Sequence, residues 1–164
     1  MLTQERLKEL LHYNPDTGIF INITQRGPVK KGVVAIGKNS DRYTTIMLNK
    51  KGYLAHRLAW LYTYGEFPET FLDHINETRD DNRIINLRLA TRQENAQNIS
   101  KPNINNNSGF LGVSWHKQRK KWIACIHLNG RKKHLGCFNT AEQASEAYLV
   151  AKRILHPFWK EKVT

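Results

Sequence analysis

The sequence predicts an α+β protein built from two modules, and three observations lead there. Helix-period segments opened by capping signals alternate with short runs of Ile, Val, Thr and aromatic residues. A polar stretch, QNISKPNINNNSG at 97–109, interrupts both patterns. Charge is also divided unevenly: of the net +12, residues 1–100 carry +3 and residues 101–164 carry +9. The expected division is a first domain at 1–98, a linker at 99–107 and a second domain at 108–158. The second should be a three-stranded antiparallel sheet with one packed helix.

Thr3 can cap a helix whose first turn holds Glu5 and Arg6, with Leu2 stapled to Leu7. Leu7, Leu10 and Leu11 then share a face. Asn14-Pro15-Asp16-Thr17-Gly18 signals a turn. Strands are expected near 19–23, 43–48 and 52–55, with a turn at Asn49–Lys51. HRLAWLYTY at 56–64 reads as a helix ended by Gly65. Thr91-Arg92-Gln93-Glu94 is a capping box, so a short helix follows that carries Asn95. Beyond the polar stretch come strand candidates at 110–115, 121–128 and 132–138, with Asn129-Gly130 as the hairpin turn between the last two. Thr140-Ala141-Glu142-Gln143 opens a helix to about Leu155, before Pro157. Ala144, Ala147, Tyr148, Ala151, Ile154 and Leu155 recur at helical spacing as its buried face.

Composition narrows the classes of function. With 40% hydrophobic and 24% charged residues, the chain is globular rather than disordered. It holds no run of 18 apolar residues, so no membrane partner is expected. MLTQERLKELL carries acidic residues and lacks a signal peptide's apolar centre, so a cytoplasmic protein is expected. Cys125 and Cys137 form no CxxC pair, which removes the usual structural zinc site and a disulfide framework. The basic final third calls for a polyanion partner.

The informative stretch contains Asp73-His74-Ile75, Asp81-Asn82-Arg83, Asn86-Leu87-Arg88 and Glu94-Asn95. Phosphodiester hydrolysis needs a base for water, and an imidazole suits that task near neutral pH. A hard divalent cation can stabilise the leaving oxygen, and it prefers Asp and Asn oxygens. Neighbouring residues on a strand point to opposite faces. Asp73 and His74 can therefore share a site only if the strand ends there, which the polar run at 76–82 allows. Taken singly, Asn82 and Asn86 suit turns or caps, and His56 reads as a structural residue bonded to core backbone.

Together with His56-Arg57-Leu58-Ala59-Trp60, these segments resemble the HNH endonucleases of phages and phage introns, over roughly residues 5–98. The resemblance implies a ββα-metal module around one ion, which makes the first domain a nuclease. The His-Asn-His pattern falls on His74, Asn86 and Asn95, with Asn in the last place, as in a branch of phage homing endonucleases that stays active. It implies His74 as general base, Asp73 and Asn95 as metal ligands, and Asn86 as the residue orienting His74. Arg88 or Arg92 would clamp the scissile phosphate. The oxygen-rich shell favours Mg²⁺ or Mn²⁺.

Residues 109–155 are similar to the Apetala2-type domain of plant ethylene-response factors. The match lies in Gly112-Val113, Lys121-Trp122-Ile123-Ala124-Cys125-Ile126, Leu135-Gly136-Cys137-Phe138, Thr140–Ala144 and Ala147-Tyr148. The resemblance implies a sheet set in the DNA major groove. Strand alternation puts Trp122, Ala124, Ile126 and Leu128 on the core side, and Lys121, Ile123, Cys125 and His127 on the other. Ser114, His116, Arg131, Lys132 and His134 are further candidates for the DNA side, and Lys117, Arg119, Lys120 and Lys133 for phosphates. Trp115 and Trp122 are expected in the core. The plant domains carry Arg and Trp where this chain has Ser114, His116, Ile123, Cys125, His127 and His134, so their target sequence does not transfer.

The function expected is metal-dependent hydrolysis of duplex DNA by a monomer, which would nick, or a homodimer, which could break both strands. Two alternatives stay open. One is a DNA-binding regulator without cleavage. The other is an RNA-binding protein, which lacks a Gly-aromatic signature here.

Overall fold

Thr3 opens the first helix by accepting a hydrogen bond from the Arg6 amide at 3.2 Å, and α1 runs Gln4–Leu10. Leu11, expected on the helix face, is extended and begins β1 (Leu11–Asn14) instead. The computed structural model describes residues 1–159, which fall into two units, one at Met1–Thr91 and one from Arg92 onward. Among the described residues no helix is long and apolar enough to cross a membrane.

In the first unit β1 pairs antiparallel with β2 (Ile19–Asn22) across the turn expected at Asn14–Gly18. Asn14 Oδ1 accepts from the amides of Asp16 and Thr17, which tightens that turn. A second sheet orders β3 (Gly37–Lys38), β4 (Thr44–Leu48) and β5 (Lys51–Leu54). The chain then enters α2 (Ala55–Tyr64), which ends on Gly65 in the left-handed conformation, as expected. β6 (Phe71–His74) and β7 (Leu87–Ala90) form a separate antiparallel pair. Leu7, Leu10, Leu11, Phe20, Leu48, Leu58 and Leu61 fill the core among these elements. Each such side chain contributes about 1.5–3 kcal/mol on burial.

The second unit starts with α3 (Arg92–Gln97). Its sheet orders β10 (Arg131–Phe138), β9 (Lys121–Leu128) and β8 (Val113–His116), all antiparallel. α4 (Ala141–Leu155) packs on it, capped by Thr140, whose hydroxyl accepts from the Gln143 amide at 3.2 Å. Ala124, Ile126, Ala144 and Tyr148 form the centre of this core. Gly112 is required there: at φ +67, a Cβ would lie 2.2 Å from the Tyr148 ring.

Ile154 does not belong to the buried face; it is 73% exposed. The face runs Ala141, Ala144, Tyr148 and Lys152, steps of three and four residues, and Ile154 falls outside it. Lys152 is 1% exposed. Its ammonium donates to the Ile99 carbonyl and lies 4.6 Å from the Trp159 ring centre. Trp159 Nε1 in turn donates to Ser100 Oγ at 3.2 Å.

Candidate active site and nucleic-acid interface

β6 ends at His74, which is the condition that lets Asp73 and His74 serve one site. The register sets Asp73 opposite Arg88 and His74 opposite Leu87. Arg88 Nε and Nη2 both donate to Asp73 Oδ2, at 2.9 and 2.8 Å. The pair is largely out of water, so Arg88 is committed to the carboxylate.

After β6 the chain closes a polar loop around Asn86. The Asn86 amide nitrogen donates to Asn76 Oδ1 at 3.0 Å and to the Asp81 carbonyl at 2.8 Å, and its Oδ1 accepts from the Asn76 backbone at 3.0 Å. Its carbonyl accepts from the Ile75 amide at 2.9 Å. Arg83 binds both Asp81 oxygens and holds that carboxyl below its ordinary range. Asn82 Oδ1 approaches the His74 imidazole, 3.5 Å from Nε2. Asn86 thus bears on His74 through the loop that carries Asn82.

That loop rests on the N-terminal hairpin. The Tyr13 hydroxyl donates to the Asn82 carbonyl at 2.7 Å, and burial pushes its ionisation up. Gly18, at φ +72, lets the turn approach so closely that a Cβ would lie 2.5 Å from the Arg83 nitrogen.

His74 is 4% exposed and His56 5%. Their rings meet edge to face at 5.0 Å, and Tyr43 lies 5.3 Å from His56 and 5.9 Å from His74. Burial is the main cause that lowers both imidazoles, His56 to about 3. Asn82 and Asp73 partly oppose the shift at His74. A neutral imidazole is the form a general base requires. His56 was expected to bond core backbone, but its Nδ1 is buried with no hydrogen-bond partner. It is a wall of the site, delivered by α2. Tyr43, from another loop, had no sequence signal that tied it to His74. Asn82 had one, its place in the polar run after the strand.

Asn95 lies half-buried on α3 and Arg92 is exposed at its start, both in the second unit. Among the described residues no three His, Cys, Asp or Glu side chains cluster as a metal cage. The donors at the end of β6 are a buried carboxylate and amide oxygens, the kind of ligand a hard divalent cation takes.

In the second unit the register puts Ser114, His116, Lys121, Ile123, Cys125, His127, Lys132 and His134 on the outward face of the sheet. Arg131 and Lys133 pair with Leu128 and Ile126, so they share the helix-side face, although both are exposed at the hairpin end. A bulge between His134 and Gly136 shifts the register, and Cys137 then pairs with Ile123. Arg119 Nη1 and His134 Nε2 each approach Cys137 Sγ at 3.6 Å. Lys121 binds Asn139, while Lys117 and Lys120 are exposed in the connecting turn. Trp115 is not wholly in the core: it is 47% exposed and meets Trp122 at 5.1 Å.

In this strand-loop-strand arrangement an Asp-His pair stands where the first strand stops. The family model for HNH endonuclease matches residues 53–97. Protein 3.8 of Escherichia phage T7 is 30% identical over 102 residues, covering 62% of this chain and 83% of that protein. A protein of the SPbeta prophage of Bacillus subtilis, named as an HNH homing endonuclease, is 26% identical over 101 residues, covering 61% of this chain and 58% of its own. An AP2-like ethylene-responsive transcription factor of rice is 33% identical over 111 residues, 63% of this chain and 17% of that protein. The solved structure of the homing endonuclease I-HmuI aligns with TM-score 0.41 and 24% identity, over 83% of this chain and 75% of that one. The chain belongs to the HNH endonuclease family, whose members cut DNA.

Proposed function

We propose that the chain is a divalent-metal-dependent homing-type endonuclease that hydrolyses phosphodiester bonds in duplex DNA. The observation that carries this is the end of β6, where a neutral, buried His74 adjoins a buried carboxylate aligned by Arg88. His74 takes the proton from the attacking water. By the family resemblance, Asp73 and Asn95 are the residues that would hold Mg²⁺ or Mn²⁺. When bound, such a cation supplies Lewis-acid stabilisation of charge on the leaving 3′ oxygen. Asn86 keeps the loop closed so that Asn82 stays against the imidazole. The products are a 5′-phosphate and a 3′-hydroxyl.

The outward face of the second sheet docks in the major groove, where Ser114, His116, Lys121, His127, Lys132 and His134 meet bases, and Lys117 and Arg119 meet phosphates. The functional division is a nuclease at 1–98, a joining segment at 99–107 and a DNA reader at 108–158. One site cuts one strand, so a monomer nicks and a homodimer breaks both strands. The place of action is the cytoplasm of a phage-infected or bacterial cell.

The test is run-off mapping of cuts in a duplex library with Mg²⁺, beside His74→Ala. Cuts by the unaltered chain at defined positions, lost in the variant, support the reading. Equal inertness of both across Mg²⁺ and Mn²⁺ would leave a DNA-binding regulator instead.

A further inference from the structure

Arg79 stands exposed in the loop between β6 and the 3-10 turn at Ile84–Asn86. Two contacts hold it. Its Nη1 donates to the Asp41 carbonyl at 2.9 Å, and its guanidinium carbon lies 5.1 Å from the Tyr43 ring centre. That same ring is 5.9 Å from the His74 ring, so one aromatic side chain separates a fixed cation from the imidazole.

Two neighbouring guanidiniums are committed elsewhere. Arg83 binds both oxygens of Asp81, and Arg88 spends Nε and Nη2 on Asp73. Arg79 pairs with no carboxylate among the described residues. Glu77 and Asp80 line the same cleft with Arg42, Thr78 and Arg79, and each of these acids already has a partner. A guanidinium has five N–H donors, and the Asp41 carbonyl uses one. The rest suit the oxygens of a phosphate, which a planar fork can meet two at a time.

We propose that Arg79 touches the substrate by donating to a phosphate oxygen of the DNA strand held beside His74, and that Arg88 does not fill this role. The proposal rests on the nuclease reading. It replaces the Arg88-or-Arg92 expectation with a residue that is oriented, exposed and not tied to Asp73 or Asp81.

Arg79→Gln separates this role from simple stapling of the loop. The glutamine amide can still donate to the Asp41 carbonyl, but the charge and the fork are gone. Full-length wild type, Arg79→Gln, Arg79→Lys and His74→Ala would be compared on supercoiled plasmid with Mg²⁺, on binding to a duplex between 50 and 200 mM salt, and on thermal melting. We expect kcat/KM for Arg79→Gln to fall about 10- to 100-fold with little change in melting temperature. The slope of log affinity against log salt should become shallower by about 0.9, one phosphate contact. Arg79→Lys should keep the slope and lose less activity. A glutamine variant with wild-type kcat/KM and salt slope overturns the proposal, as does a loss tracked by a lower melting temperature with the slope unchanged. If wild type cuts nothing and matches His74→Ala, the nuclease reading fails. The salt slope then decides Arg79 alone, and an unchanged slope in the glutamine variant rejects the phosphate contact.

Discussion

Replacing Arg88 with methionine removes the guanidinium that holds Asp73 and leaves a side chain of similar reach. The side chains of the pair are 18% and 7% exposed, and both hydrogen bonds fall on one carboxylate oxygen. Removing one partner from a buried pair costs about 3–5 kcal/mol, because the other charge loses its compensation. For a chain of 164 residues that is a melting temperature lower by about 6–20 °C. If Asp73 also holds the cation, Mg²⁺ can supply part of the missing positive charge. At a hundredfold excess over its Kd a ligand adds about 2.7 kcal/mol. Calorimetry of Arg88→Met in EDTA and in Mg²⁺ should therefore show a gap to wild type that narrows when the cation is added. Arg88→Met combined with Asp73→Asn should recover most of the stability in EDTA and respond no further to Mg²⁺. A single variant within about 1 kcal/mol of wild type would refute the energetic argument. An equal Mg²⁺ response in the single and double variants would refute Asp73 as a ligand.

Three further outcomes are expected. Gly18→Ala forces a side chain into φ +72 and places its Cβ 2.5 Å from the Arg83 backbone. We expect about 2–4 kcal/mol of lost stability with reduced DNA cleavage, and unchanged denaturation would contradict the close contact. His56 is held neutral by burial, with its folded value lowered to about 3. Its contribution to stability, roughly 5 kcal/mol, is complete above pH 6.5 and is lost as pH falls from there toward 3. His56→Phe should flatten the fall of the urea midpoint over that window, and parallel curves for the two proteins would count against this. Lys152→Met removes the hydrogen bond to the Ile99 carbonyl and should cost about 1–3 kcal/mol. Proteolysis between 98 and 108 should then quicken, and an unchanged cleavage rate would show that the bond does not hold this segment.

Elements with local punctuation were legible in the sequence. Thr3 and Thr140 cap the helices they were expected to cap, Gly65 ends α2, and Asn129-Gly130 joins β9 to β10. Alternation along β9 separated Ala124 and Ile126 from His127 correctly, because a period of two depends only on neighbours. What failed depended on distant partners. Leu11 looked like a helix residue because an apolar run does not reveal where a helix yields to a strand. Apolarity and helical spacing place Ile154 in the core, yet the buried position goes to Lys152, whose ammonium finds a carbonyl and an aromatic ring. At the candidate site, Asp73 and His74 stood out as a pair. The commitment of Arg88 follows from strand register, and the approach of Tyr43 and His56 to His74 from packing across segments, neither of which spacing discloses.

Away from the hairpin end, where Arg131 and Lys133 share the helix side, the sheet of the second unit keeps its two faces chemically separate. Ala124 and Ile126 face α4, while Ser114, His116, Ile123, Cys125, His127, Lys132 and His134 project away from that core. Mutational freedom is therefore partitioned: a lineage, or a library, can vary the outward set without removing an atom from between sheet and helix. On the proposed reading, in which the outward set meets bases, retargeting becomes a problem of surface lettering, and new preferences can be sampled before foldability is put at risk.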